Sequence, residues 1–209
     1  MIYNGFNRSR FKAYRPKLIS EGRVREYAVL IPLVFRKDEI CIVFQKRSAK
    51  ISQAGDYCFP GGKVEENESS IEAAIRETEE ELLIKPHQID VLGPSDSIIT
   101  RSSLLVHSFL GVLYDYDGTY NTDEVDVIVE VPLSRLLDIE PQEYEVQVDM
   151  LMPENFPYEK IEEGKQYRFH SQPSTILFYE IDGIVIWGLT AKLLYSALEL
   201  IKEGSWNVN

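Results

Sequence analysis

The chain has 209 residues, 44% hydrophobic and 27% charged, with 22 basic against 34 acidic side chains and a net charge of −12. That balance excludes disorder as the default and argues against non-specific nucleic-acid binding, which runs on basic surface. The longest apolar stretch, 27–35, holds nine residues including a proline, far short of a membrane span, and no signal-peptide pattern opens the sequence. The expectation is a cytoplasmic protein with one domain over 1–209.

In chain order, Arg8, Arg10, Lys12, Arg15 and Lys17 make the segment 1–25 locally basic, and it reads as a solvated arm or a short helix. The runs 27–35 and 39–45 are rich in Val, Ile and Phe, and the polar Arg36-Lys37-Asp38 between them predicts a hairpin. Further strands are expected at 57–59, 107–114, 125–131, 143–150 and 175–181, and helices at 69–82, 133–137 and about 189–202. Strands, one helix, strands again and a closing helix predict a mixed α/β or α+β sandwich. Cys41 and Cys58 lie in apolar, strand-like surroundings and read as buried thiols of a reducing compartment. His87, His107 and His170 show no ligand spacing and read as structural.

The segment 69–82 carries the most information. Ser69 followed by Glu72 makes a capping box, and no Gly or Pro interrupts the run from there to Leu82. At about 100° per residue, Ile71, Ile75, Thr78 and Leu82 share one narrow arc and predict the buried stripe. Glu77, Glu80 and Glu81 fall on an arc roughly opposite, with Glu77 and Glu81 one turn apart, so the three carboxylates are expected to converge. Hard cations such as Mg2+ or Mn2+ take oxygen ligands, keep several waters and are often completed by substrate phosphates. Arg76, beside Glu80 on this wheel, is expected to fix a carboxylate, and Glu68 to accept from it or orient the loop. The plainer reading of a glutamate run is a solvated face, because exposed like-charge pairs cost little.

The joint spacing outweighs that reading. Counting from Gly62, Glu68 stands six places on, Arg76-Glu77 fourteen and fifteen, and Glu80-Glu81 eighteen and nineteen, behind a Phe59-Pro60-Gly61-Gly62 turn. The run resembles the Nudix box, the signature of hydrolases that split a diphosphate linked to another moiety. Thr78 departs from it at a packing position usually filled by a larger aliphatic residue, and Leu83 at a turn position usually filled by glycine. The resemblance implies a mixed β-sheet sandwiched between helices, and diphosphate hydrolysis. The site residues are then Glu77, Glu80 and Glu81 as metal ligands, with Glu80, Arg76 and Glu68 as catalytic residues. The general base is left open among Glu80, Glu124 and Glu130, because a base is defined by its reach to the attacking water.

Outside the box, Arg47-Ser48, Gln53-Ala54-Gly55 and Cys58-Phe59-Pro60-Gly61-Gly62 resemble the additional motif of the coenzyme A pyrophosphatase branch, with one residue fewer between Arg47 and Gly55. Val106-His107-Ser108-Phe109-Leu110-Gly111, Glu130-Val131-Pro132-Leu133 and Ile186-Trp187-Gly188-Leu189-Thr190-Ala191 resemble the same branch. This implies cleavage of coenzyme A or its thioesters into 3′-phosphoadenosine 5′-phosphate and (acyl-)4′-phosphopantetheine, with Arg47, Gly61, Gly62 and Lys63 at the substrate. Each has a plainer reading too: a surface ion pair for Arg47, a solvated loop residue for Lys63, an ordinary turn for the glycines. Trp187, ahead of an apolar helix, reads as core. The alternatives are a Nudix hydrolase of ADP-ribose, a dinucleotide or a nucleoside triphosphate, or a catalytically silent nucleotide-sensing domain. The expected partner is a small-molecule nucleotide, with no nucleic acid and no membrane, and a homodimer is an assembly the chain admits.

Overall fold

The computed structural model describes residues 24–37, 39–169 and 173–204, so nearly all of the basic segment expected at 1–25, and His170, lie outside the described residues. Its organising feature is a hairpin that forks. Strands β1 (Arg25–Arg36) and β2 (Glu39–Arg47) pair only near their turn, from Leu33↔Ile42 to Arg36↔Glu39. Beyond that point each takes a different neighbour: β3 (Tyr57–Cys58) joins β2 at Gln45 and Lys46, and β4 (Gly61–Lys63) joins β1 at 27–29. The Phe59-Pro60 link between β3 and β4 crosses the fork, and Leu30 N–H donates to the Pro60 carbonyl at 3.0 Å.

The outer edges of the fork extend the sheet. Strand β7 (Leu104–Leu113) runs parallel to β1 and carries β5 (Ile89–Pro94) and β6 (Ile98–Ile99) beyond it, while β8 (Val125–Pro132) pairs antiparallel with β2. A second sheet of three strands has the order β11-β10-β9, formed by β9 (Gln142–Gln147), β10 (Pro173–Ile181) and β11 (Ile184–Trp187). Among the described residues the α-helices are α1 (Ser70–Leu82), α2 (Leu133–Leu137) and α3 (Gly188–Glu203).

Because successive side chains of a strand point to opposite faces, β1 feeds two cores. Ala28, Leu30 and Val34 pack with Ala73, Ala74 and Leu82 of α1, whereas Ile31 and Leu33 pack with Leu194, Ala197 and Leu198 of α3. A strand covered on both faces reads as a continuous apolar run, as 27–35 does. The expected mixed sheet between helices is therefore present. Among the described residues no helix is long and apolar enough to cross a membrane.

Differences from expectation are local. Strand β9 stops at Gln147, short of the expected 150, and β4, β5, β6 and β11 were not expected. Helix α1 begins as its capping box requires, with Ser69 Oγ accepting from Glu72 N–H and Glu72 Oε2 accepting from Ser69 N–H at 2.7 Å. Its rotation, however, shifts the expected stripe, of which Thr78 and Leu82 are buried as expected. The buried residues are Ala73, Ala74, Thr78, Glu81 and Leu82, and Ile71 is 38% exposed. The two alanines let the helix lie close on Ala28 and Leu30, turning it roughly 80° from the orientation set by the isoleucines. Thr78 is accommodated there because its hydroxyl donates to the Ala74 carbonyl at 2.6 Å.

The helix ends at Leu83 in the left-handed region, φ 54 and ψ 40, with its side chain exposed. Left-handed backbone costs a β-carbon-bearing residue about 1–2 kcal/mol, and glycine's extra unfolded-state entropy takes back only about 0.5–1 kcal/mol. Leu83→Gly is therefore expected to stabilise the fold by about 0.5–1 kcal/mol. Urea denaturation reads this directly, and a midpoint at or below the parent's would refute the strain assigned to Leu83.

Candidate active site

The rotation of α1 turns Glu81 towards the sheet, where it is 4% exposed. Its Oε2 accepts from Gly61 N–H on β4 at 2.9 Å and from Gln45 Nε2 on β2 at 2.8 Å. One carboxylate thus ties together the two arms of the fork. Burial pushes its pKa up to about 7, with the two hydrogen bonds opposing the shift and the charges of Glu77 and Glu124 adding to it. Sequence reasoning missed Gln45. Its signal was a polar residue continuing the Cys41, Val43 face of β2, which packs towards α1.

Both glycines of β4 are required by close approach. Gly61 has φ +153, and a Cβ there would collide with the Ala28 carbonyl and Val29 Cα; a Cβ on Gly62 would collide with the Glu77 carboxylate. Hydrogen at Gly62 is what leaves room for Glu77 beside the strand. From the other side Arg76 holds the same carboxylate, its Nη1 donating to Glu77 Oε1 at 2.8 Å. Arg76 is itself fixed by Glu68, through Nε to Oε2 at 3.1 Å and Nη2 to Oε1 at 2.8 Å, and by the Lys63 carbonyl at 3.1 Å. Hydrogen bonds to Glu68 and Glu77 raise the Arg76 pKa well above its usual value, so the guanidinium is a permanent charge. Burial raises the Glu77 pKa while Arg76 opposes it.

These groups open onto a cavity of about 740 Å³. Glu77, Glu81, Gly61, Gly62, Arg47 and Lys63, all expected at the site, line it together. Glu80, Arg76 and Glu68 do not line it. The expected convergence of three carboxylates is corrected to two, because the helix presents its 77/81 side to the fork and leaves Glu80 outside, paired with Arg76 at 3.5 Å. Of the other two candidate bases, Glu124 lines the cavity, whereas Glu130 is paired with Arg36 and does not. The loop before Glu124 satisfies the open end of α1: Asn121 N–H donates to the Glu81 carbonyl at 2.8 Å, and Thr119 Oγ1 to the Leu82 carbonyl at 2.9 Å. Ser48 N–H donates to the Glu124 carbonyl at 2.9 Å, anchoring that residue to the end of β2.

Two further readings are corrected. Trp187 is not core; it is 41% exposed and lines the cavity, because it closes β11 at the edge of the second sheet. Cys58 is only partly buried and lines the cavity, whereas Cys41 is buried; both are free thiols. Neither His87 nor His107 lines it, and His107 Nδ1 lies 3.1 Å from Ser97 Oγ.

Among the described residues, no three His, Cys, Asp or Glu side chains are gathered closely enough to hold a metal by themselves. Glu77 and Glu81 nonetheless fit a hard divalent cation. They are oxygen donors that line one cavity together, Glu77 seated where a Gly62 Cβ would collide with it, and the negative charge of Glu124 bears on both, a repulsion that a cation relieves. Water and substrate phosphate are the usual remaining ligands of such an ion.

A family model described as NUDIX domain matches residues 24–151. The chain belongs to the Nudix family. It is 35% identical over 133 residues to an uncharacterized Nudix hydrolase, NudL, of Cronobacter sakazakii, covering 62% of this chain and 69% of that one. A NudL of Photorhabdus laumondii is 29% identical over 189 residues, 90% of each chain. A MutT/nudix family protein from Enterococcus faecalis shares the fold, with a TM-score of 0.54 and 14% identity over 90% of this chain and 66% of its own. The protein is a Nudix hydrolase, an enzyme of pyrophosphate linkages, and such hydrolases generally use divalent metal ions.

The Glu81 shift sets a pH dependence in metal-free protein. Between about pH 4.5 and 7 the folded chain holds a proton that the unfolded chain has released, so stability falls as pH rises through that window. Glu81→Gln removes this loss, and the replacement amide can still accept from Gly61 and donate to the Gln45 Oε1, which is buried without a partner. In EDTA the variant is expected to match the parent near pH 4 and exceed it above pH 8 by up to about 3 kcal/mol. Melting curves at the two pH values decide; a parent as stable as the variant at pH 8 would contradict the burial cost assigned here.

Proposed function

We propose that the enzyme hydrolyses the diphosphate of coenzyme A or its thioesters, with Mg2+ or Mn2+, releasing 3′-phosphoadenosine 5′-phosphate and (acyl-)4′-phosphopantetheine. The observation that carries this is the make-up of the cavity. Arg47, Gly61, Gly62 and Lys63, from the segment resembling the coenzyme A branch, share it with Glu77 and Glu81 of the box, and Val29, Leu104, Val106, Leu189 and Leu193 supply an apolar wall. A pantetheine arm or acyl chain is uncharged, long and flexible enough to use that wall. ADP-ribose and nucleoside triphosphates offer no such group.

In this reading Glu77 and Glu81 hold the cation, which when bound neutralises the diphosphate and acidifies a coordinated water. Arg76 is a positioning residue: clamped by Glu68 and the Lys63 carbonyl, it keeps Glu77 at Gly62. Gly61 N–H and Gln45 orient Glu81. Arg47 and Lys63 meet phosphate oxygens. Glu124 receives the proton of the attacking water, and Glu80 supports Arg76 from outside the cavity. The free thiols accord with a reducing, cytoplasmic setting.

Incubating the protein and Mg2+ with coenzyme A, ADP-ribose, NADH and nucleoside triphosphates, then separating products, tests the substrate. Coenzyme A should be cleaved preferentially; preference for ADP-ribose or a triphosphate would overturn the reading. On the cleaved substrate, Glu77→Gln should lower kcat by orders of magnitude. Glu124→Gln should lower it about 10²–10⁴-fold, the range of a lost general base, with KM little changed. Glu80→Gln should cost less than about tenfold on the same scale, and a larger loss there than at Glu124 would reassign the base.

A further inference from the structure

Trp187 is held with more care than a surface tryptophan requires. One face of its indole lies on Phe178, its cross-strand partner, with ring centroids 5.7 Å apart and planes 13° apart. Phe178 is braced in turn by Tyr144, edge-on at 5.5 Å. The indole Nε1 donates to Asp56 Oδ1 at 3.2 Å, which fixes the ring's rotation. The ring is therefore rigid and its polar atom satisfied, yet it lines the cavity and remains 41% exposed. That is more exposure than tryptophan, highly buried on average, usually keeps.

The surroundings name the ligand. Asp56 also accepts Arg47 N–H on its backbone carbonyl at 2.9 Å, and Arg47 Nε donates to the Ser52 carbonyl at 2.8 Å, so one turn orients both the indole and the guanidinium. A flat aromatic surface beside a cation matches a nucleotide, whose base has a π-face and whose phosphate carries the charge. The aliphatic wall formed by Leu104, Val106, Leu189 and Leu193 offers no flat surface and suits a chain instead. We propose that Trp187 is the stacking platform for the substrate's nucleobase, which sets the direction in which the diphosphate crosses the site. The proposal rests on the reading of this cavity as that of a nucleotide diphosphate hydrolase and adds a specificity residue to it.

The test does not need turnover. Adenosine 3′,5′-bisphosphate and ribose 5-phosphate are titrated into the protein with Mg2+, following tryptophan fluorescence and, by calorimetry, affinity. The bisphosphate should quench the parent saturably and ribose 5-phosphate should not. Trp187→Phe should abolish the quench while keeping affinity within about threefold, since a phenyl ring still stacks and Trp206 is the other tryptophan. Trp187→Ala should weaken bisphosphate binding about 5- to 100-fold and leave ribose 5-phosphate unaffected. A quench that persists in Trp187→Phe, parent-like affinity in Trp187→Ala, or equal loss for both ligands overturns the proposal. A protein that binds the bisphosphate through Trp187 yet spares coenzyme A refutes the proposed substrate and upholds the platform.

Discussion

A single buried carboxylate joins the architecture to the chemistry. Where β1 and β2 part, their facing edges lose each other as partners, and buried backbone and amide donors must find acceptors elsewhere. Strands β3 and β4 pair with those edges, and Glu81 supplies one oxygen to both sides of the fork, to Gly61 N–H of β4 and to Gln45 Nε2 of β2. Holding a carboxylate there is costly, as its raised pKa records. The cost falls at the site where an acidic group is useful, the usual exchange of stability for function.

The rest of the candidate site is arranged around this anchor so that none of its side chains is independent of the fold. Gly61 and Gly62 let β4 approach both β1 and the Glu77 carboxylate. Arg76 links Glu77 to Glu68 and to the Lys63 carbonyl, tying helix, strand and loop into one charged cluster. The loop that brings Glu124 to the cavity also satisfies the last carbonyls of α1. Residues far apart in the chain are thereby held in fixed relation to one another around the cavity.

Much of this was legible in the chain. The capping box at Ser69 and Glu72, the apolar run of β1 and the turn signal before β2 each depend on neighbours a few residues away. Strands β4 and β6 could not be read in the same way, because Gly61–Lys63 and Ile98–Ile99 are too short to show a period and exist only by pairing with β1 and β7. The wheel for α1 placed Thr78 and Leu82 correctly and the rest of the stripe wrongly: it was centred on Ile71 and Ile75, whereas close helix–sheet contact selects the small Ala73 and Ala74. Trp187 was misread because its exposure is decided by the end of β11 against the cavity, a relation without local trace.

By itself the sequence determined that one helix would carry Glu77 and Glu81 a turn apart, behind a double glycine, because helical geometry converts spacing into position without outside help. Only the tertiary structure decided which carboxylates enter the cavity, that Glu80 stays outside it, and that Glu124, Gln45 and Trp187 complete its surroundings. Rotation of a helix and divergence of a hairpin are set by packing and by the pairing of buried polar groups, interactions among residues that are neighbours in space and strangers in the chain.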